Sequence, residues 1–285
     1  MPRRRTTWDT VAIVGVGLIG GSIGLALRER RLAKHVVGVG RNTARLAVAK
    51  RRGALTSTTT QLSRGVADAQ LTVVCTPVAR IVADVRAVAD VCPAGALITD
   101  VGSTKQEIVA ALDGRLDREV QFVGGHPLAG SEKTGAAQAR ADLFDGRVVV
   151  LTPTRRSGRE DVEALSSFWS AIGAQVRTMS ADAHDRVLAV TSHLPHVLAA
   201  VLSSVVRCDE LPLTATGWAD TTRIAAGDPE MWTQILSSNR GRVVQALARF
   251  QERLDAVRKN LEDEDAAALA RFLSQAKRNR DALGS

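Results

Sequence analysis

Aromatic residues are scarce in this chain: Phe and Trp make up 3% of 285 residues, and tyrosine is absent. Proteins that track single-stranded nucleic acid stack bases on aromatic rings, so the scarcity argues against that class despite a formal net charge of +8. The basic residues are spread along the chain, apart from "PRRR" at the start and "KRNR" near the end. No nucleic-acid partner is expected. The positive balance favours an anionic partner, and charge alone does not choose its kind. Cysteine is also sparse: Cys75, Cys92 and Cys208 form no metal-ligand spacing and read as small core residues in a reducing compartment, with no metal site expected.

Long apolar runs are missing as well. The run "VAIVGVGLIGGSIGLAL" near the N-terminus is short and glycine-rich, a poor membrane span. With "MPRRRTTWDT" before it, it imitates a signal peptide. Asp9, the basic "RERR" that follows, and the lack of a small-residue cleavage site speak against export, so a cytoplasmic protein is expected. Neither repeats nor low-complexity segments stand out. What remains is an ordinary globular composition, 45% hydrophobic, long enough for two cores.

Short apolar runs alternate with helical patterns from Val11 to about Thr178: "VAIVGVG", "HVVGVG", "LTVVCTP", "GALITDVG", "VQFVGG", "RVVVLTP" and "AQVRTM". This is the pattern of a mostly parallel sheet covered by crossover helices. Beyond Ser180 only long helical periodicity continues. The expected architecture is α/β, a Rossmann-type domain over residues 1–179 followed by an all-helical domain over residues 180–285.

The first strand runs into Gly15-Val16-Gly17-Leu18-Ile19-Gly20 and then a helix. Glycines here permit a tight turn and close approach of a pyrophosphate, and the helix N-terminus supplies N–H groups; Gly15, Gly17, Leu18, Ile19 and Gly20 are therefore cofactor-binding candidates. The second strand ends in Gly40, where NAD-binding chains carry an acid for the ribose hydroxyls, and Arg41 and Asn42 follow. A lost carboxylate beside a gained guanidinium suits a 2′-phosphate, so NADP is expected ahead of NAD. Thr76, Pro77 and Asp100 close two further runs at the sheet edge where such sheets bind ligands and join the cofactor candidates.

Two segments bring chemistry to that edge. "ITDVGSTKQEI" places Ser103 after one strand, and "GGHPLAGSEKTG" holds His126 among glycines and polar residues, a composition that suits neither a core helix nor an ordinary strand. In the helical part, "SHLPH" sets His193 and His196 three apart on one face, with Pro195 freeing the carbonyl of Thr191. "WADTTRIAAGDPEMW" reads as a helix end and a new start, with Asp228 as N-cap and Pro229 in the first turn. Asp220 and Arg223 stand one turn apart, the spacing of a plain ion pair, and Trp232 suits the core equally well.

Taken in order, "GVGLIGGSIG", "TDVGSTK", "GGHPLAGSEKTG", "SHLPH" and "DTTRIAAGDPEMW" resemble the prephenate and arogenate dehydrogenase family of tyrosine biosynthesis, from about Val11 onward. The resemblance implies an NAD(P)-dependent oxidative decarboxylation, and a helical domain that forms a homodimer. It also implies site roles: His126 as catalytic histidine, Ser103 as its partner, and Arg223 for the ring carboxylate. His196, Glu132 and Trp232 fall near the substrate side chain or cleft entrance, and His193, paired with His196 in "SHLPH", joins the substrate-binding candidates. The reaction needs a base poised near neutral pH, the part His126 would take. Prephenate and arogenate differ only in a side-chain keto or amino group, and the choice stays open. The alternative is another two-domain dehydrogenase, of the β-hydroxyacid or imine reductase type, relying on a lysine in the helical domain.

Overall fold

The computed structural model describes residues 7–116, 119–130 and 134–283. Its strands are Trp8–Val14 (β1), Ala33–Val39 (β2), Ser57–Thr59 (β3), Leu71–Val74 (β4), Leu97–Asp100 (β5), Gln121–Pro127 (β6), Val148–Thr152 (β7) and Gln175–Thr178 (β8). They form one sheet in the order β3-β2-β1-β4-β5-β6-β7-β8. β1 to β6 run parallel, β7 pairs antiparallel with β6, and β8 pairs parallel with β7. The expected mostly parallel sheet is therefore present. Its central strands are apolar on both faces, as burial between two helix layers requires.

Helices Leu18–Glu29 (α1), Thr43–Arg51 (α2), Leu62–Val66 (α3), Val78–Ala89 (α4), Gln106–Leu112 (α5) and Arg159–Ala171 (α6) connect and cover the strands. One core, containing Ile13, Ile23, Leu27, Phe144 and Trp169, fills the face under α1 and α6. The other face holds Val66, Ile81, Val85, Ile98 and Leu112 under α3, α4 and α5.

Among the described residues after β8 the regular elements are helices: Ala181–Leu188 (α7), Leu194–Val205 (α8), Thr216–Thr222 (α9), Pro229–Ser238 (α10), Arg240–Glu262 (α11) and Ala266–Asp281 (α12). Between α7 and α8 the backbone makes a π-helical turn over Ala189–His193. Pro195 has no N–H to give to Thr191, and this local widening accommodates the lost bond. Asp228 caps α10 as expected, its carboxylate accepting from Met231 N at 2.9 Å.

The helical core is small, built on Ala189, Leu194, Val243 and Ala246. Large apolar side chains remain exposed along the long helices, among them Val201, Val205, Leu254, Leu261 and Leu273, and α12 buries no residue within its own chain. Apolar faces of this extent mark a partner surface.

Candidate active site

The turn after β1 is shaped by close packing. Gly15 has φ +92°, and a Cβ there would sit 2.8 Å from the Cys75 carbonyl oxygen; one on Gly20 would collide with the Gly15 carbonyl. Gly17 differs. It begins α1 with no side-chain cap, and a Cβ there would meet nothing within 4 Å. The bare N–H groups of Leu18, Ile19 and Gly20 thus stand beside open space, the arrangement that receives a pyrophosphate. Thr76 and Pro77 follow β4 directly beside this turn, and the Thr76 hydroxyl is buried without a hydrogen-bond partner. At the end of β2, Arg41 and Asn42 are exposed, and Asn42 Oδ1 caps α2 by accepting from Arg45 N at 3.0 Å.

Asp100 is placed otherwise than expected. Its carboxylate is fully buried and accepts from Gly102 N at 2.8 Å, Gly125 N at 3.1 Å and the Lys105 ammonium. These partners are internal, so the Asp100 carboxylate knits the ends of β5 and β6 together. Lys105 is fully buried too, and burial pulls its ammonium below the usual lysine range against the opposing charge of Asp100.

The segment around His126 also corrects an expectation. Gly124 to Pro127 are strand residues, with His126 opposite Val150 in the antiparallel β6–β7 pair. Glycine serves close approach here: a Cβ on Gly124 would lie 2.5 Å from the Thr152 hydroxyl, and one on Gly125 2.8 Å from the Asp100 carbonyl oxygen. The strand read from "VQFVGG" thus runs on, under crowding, through His126 and Pro127. Ser103, half-buried, lies in the turn after the adjacent β5, on the same sheet edge as His126. Glu132 lies outside the described residues.

Four of the chain's five histidines gather where the domains meet. His126 Nδ1 lies 2.8 Å from Nε2 of His184 on α7, and His184 Nδ1 lies 2.7 Å from Asp185 Oδ1. Asp185 also accepts the backbone N–H groups of Lys105 at 2.8 Å and Gln106 at 2.9 Å, capping α5 from the other domain. Asn239 donates its amide to the Asp185 carbonyl at 2.8 Å and faces His193 Nδ1 at 3.1 Å. His196 stacks on Trp232 with centroids 3.6 Å apart and planes 9° from parallel, and His193 meets the same indole edge-on. Trp232 is thus part of a histidine cluster. Arg223, exposed, begins the turn Arg223–Ala226, and this turn packs against α8. Among the described residues no group of three or more His, Cys, Asp or Glu is arranged to hold a metal.

Burial, reinforced by His184, Lys105 and His193, drives His126 well below the ordinary imidazole range. This imidazole is not poised near neutrality. It is kept neutral throughout the physiological range. Burial likewise lowers His196 and brings His193 down to about 4. For Asp185, burial alone would raise the carboxyl, yet the hydrogen bonds from His184, Gln106 and Lys105 outweigh it and hold it low.

Sequence reading missed His184, Asp185, Lys105 and Asn239. The only signal was a His-Asp pair one turn into a helix, in "ADAHDRVL", and an isolated His-Asp pair reads as surface. Their meaning comes from packing, which sets α7 against α5.

An open parallel sheet with a glycine turn, facing a helical domain across a buried histidine, is the build of a two-domain nicotinamide-dependent oxidoreductase. Residues 23–178 match the family described as prephenate dehydrogenase, nucleotide-binding domain, and residues 180–275 its dimerization domain. The chain belongs to the prephenate dehydrogenase family. It is 36% identical over 282 residues to a prephenate dehydrogenase of Bacillus subtilis, covering 96% of this chain and 76% of that one. A cyclohexadienyl dehydrogenase of Zymomonas mobilis is 31% identical, with 98% and 97% covered. The crystal structure of the A. aeolicus prephenate dehydrogenase in complex with hydroxyphenyl propionate and NAD+ superposes with a TM-score of 0.90 at 30% identity, covering 96% of this chain and 98% of that one.

Proposed function

We propose that this chain carries out the oxidative decarboxylation of prephenate, arogenate or both in tyrosine biosynthesis, as a cytoplasmic homodimer that prefers NADP. The observation that carries the reading is His126: a histidine held neutral at the C-terminal sheet edge, with Nδ1 engaged by His184 and Nε2 left for substrate. The chain's own residues fit a dinucleotide. Gly15 to Gly20 would take the pyrophosphate, Thr76 and Pro77 would border the nicotinamide half, and Arg41 with Asn42 would meet a 2′-phosphate. When bound, the nicotinamide accepts a hydride from C4 of the substrate ring.

His126 then accepts a hydrogen bond from the C4 hydroxyl as that carbon becomes carbonyl-like. Its Nε2 holds the hydroxyl proton while the bond from C1 to the carboxylate breaks; that electron pair completes the aromatic ring, and carbon dioxide departs. The proton returns to the phenolic oxygen, so no net proton leaves the site. Ser103 orients the hydroxyl, and Arg223 holds the ring carboxylate with a bidentate fork. His196 on Trp232, with His193 and Glu132, borders the substrate side chain.

A hydroxyacid or imine reductase reading is disfavoured by the helical domain's lysines. They are Lys259 and Lys277, both exposed on α11 and α12. The deciding experiment measures absorbance of the reduced nicotinamide after adding prephenate or arogenate, each with NADP and with NAD. Turnover with neither substrate ends the reading. Sedimentation at micromolar concentration tests the dimer, and a monomer would reject it.

A further inference from the structure

A neutral imidazole accepts at one nitrogen only, so a base buried beside other histidines works only if the correct nitrogen is bare. The contacts around His126 decide which one. Asp185 sits over the first N–H groups of α5, where two backbone donors and the positive pole of the helix satisfy its charge. An ionised carboxylate only accepts, so His184 Nδ1 carries the hydrogen of the 2.7 Å contact. Because the helix already neutralises Asp185, nothing demands a second proton on fully buried His184. His184 Nε2 is then an acceptor. The 2.8 Å contact makes His126 Nδ1 the donor and leaves His126 Nε2 bare.

We infer that His184 and Asp185 are positioning residues for the proposed reaction: Asp185 orients His184, and His184 fixes the tautomer and ring orientation that present His126 Nε2 to the substrate hydroxyl. This rests on the reading of His126 as the hydrogen-bond acceptor. The chain of contacts is not a proton wire, since the hydroxyl proton is borrowed and returned. It works through electrostatics. When His126 gains positive character, the His184 acceptor and the ionised Asp185 behind it stabilise that charge in a site from which water is excluded. The opposite arrangement, His184 doubly protonated and donating to His126 Nδ1, would leave a hydrogen on Nε2 and no acceptor for the substrate. One carboxylate therefore both caps a helix of the nucleotide domain and sets the protonation of the base.

The test compares His184→Gln, His184→Phe and His126→Asn in the full chain, with prephenate or arogenate, whichever is turned over. Phenylalanine keeps a planar aromatic ring and removes the acceptor; the glutamine carbonyl can still accept from Nδ1–H. Removing a partner of this kind commonly costs 10- to 100-fold, and a wrong tautomer up to about 10⁴-fold. The expected result is a kcat roughly 100-fold lower for the phenylalanine variant, KM and nucleotide affinity near wild type, a shifted acid limb in the pH profile, and substantial rescue by glutamine. A folded His184→Phe enzyme with wild-type kcat and pH profile overturns the inference while leaving His126 in place, provided that His126→Asn is inactive. If His126→Asn turns over normally, the underlying reading fails instead. Should His184→Phe not fold, nitrogen-15 NMR of the wild-type histidines decides: a protonated Nδ1 and bare Nε2 on His126 support the assignment, and the reverse tautomer rejects it.

Discussion

Asp185, on α7 of the helical domain, closes the N-terminus of α5 in the nucleotide domain by accepting from Gln106 N at 2.9 Å, although the two residues are 79 positions apart in sequence. A cap normally comes from the residue just before its helix, but Lys105 at that position offers no side-chain acceptor and turns its ammonium to Asp100. Nearby, the Thr104 and Ser238 hydroxyls lie 3.0 Å apart across the same junction. The domains are therefore joined by directed polar contacts at the point where the proposed base sits.

Asp185→Ala removes the cap and leaves His184 without its partner. A lost cap costs about 0.5–2 kcal/mol, and a buried donor left unsatisfied about 1–3 kcal/mol more. Thermal unfolding should show a drop of several degrees and an early loss of signal from the junction. Unfolding that matches wild type would show that other contacts hold the domains together.

His126→Asn should bind nucleotide normally and lose about 10²–10⁴-fold in kcat, the usual contribution of a general acid–base group. Binding is followed by nucleotide fluorescence and turnover by absorbance. Near-normal kcat would remove His126 from the mechanism. In the wild-type enzyme the acid limb of kcat/KM should lie below 6.5, because burial depresses this imidazole.

Stability should decline in acid before the carboxylates titrate. His193 is held at about 4 against an ordinary 6.5, and His126 lies well below 6.5. A base with a depressed folded-state pKa takes up its proton more readily when unfolded. Its contribution is thus complete above 6.5 and is lost as pH falls toward the folded value. For His193 alone the span corresponds to roughly 3 kcal/mol. Denaturant midpoints between pH 7 and pH 4.5 should fall steadily. A flat profile would mean that water reaches these rings.

Legibility in the sequence followed the range of the interactions. The parallel sheet, the glycine turn and the Asp228 cap rest on local patterns and could be read directly. The run "VQFVGG" could be read as a strand, but not its continuation through His126 and Pro127, because the glycines there answer to Thr152 and Asp100, which approach only after folding. Asp100 looked like a ligand at a strand end until Lys105, Gly102 and Gly125 enclosed it. His184 and Asp185 were silent for the same reason: their partners lie some 58 and 79 residues away.

Arg223→Ala should chiefly raise KM for the ring-carboxylate substrate, with a loss of about 2–5 kcal/mol if the pair is desolvated in the complex. Lysine should rescue only part of it, since a point charge cannot replace the fork. An unchanged KM in the alanine variant would return Arg223 to a surface role.

The proposed NADP preference rests on two adjacent residues at the end of β2. Gly40 offers no carboxylate, so under this proposal NAD would lack an anchor for its ribose hydroxyls and a 2′-phosphate would meet no repulsion. Arg41 is exposed beside the gap, and Asn42 has committed only its carbonyl oxygen to capping α2, which leaves its NH2 group to donate. Exposed Arg45 adds positive field at the same helix start. A charge-assisted phosphate contact of this kind contributes about 1.5–3 kcal/mol, or one to two decades in kcat/KM. The reversal is sterically open: the nearest atoms to a Cβ at Gly40 belong to the Leu46 side chain, at 3.3 Å or more, so an aspartate fits with a small shift of that side chain. Gly40→Asp combined with Arg41→Ala should invert the preference toward NAD while the His126 pH profile stays put. Steady-state kinetics with both nucleotides decides it. A wild-type enzyme that uses NAD as well as NADP would show that Arg41 is a solvated charge at a strand end.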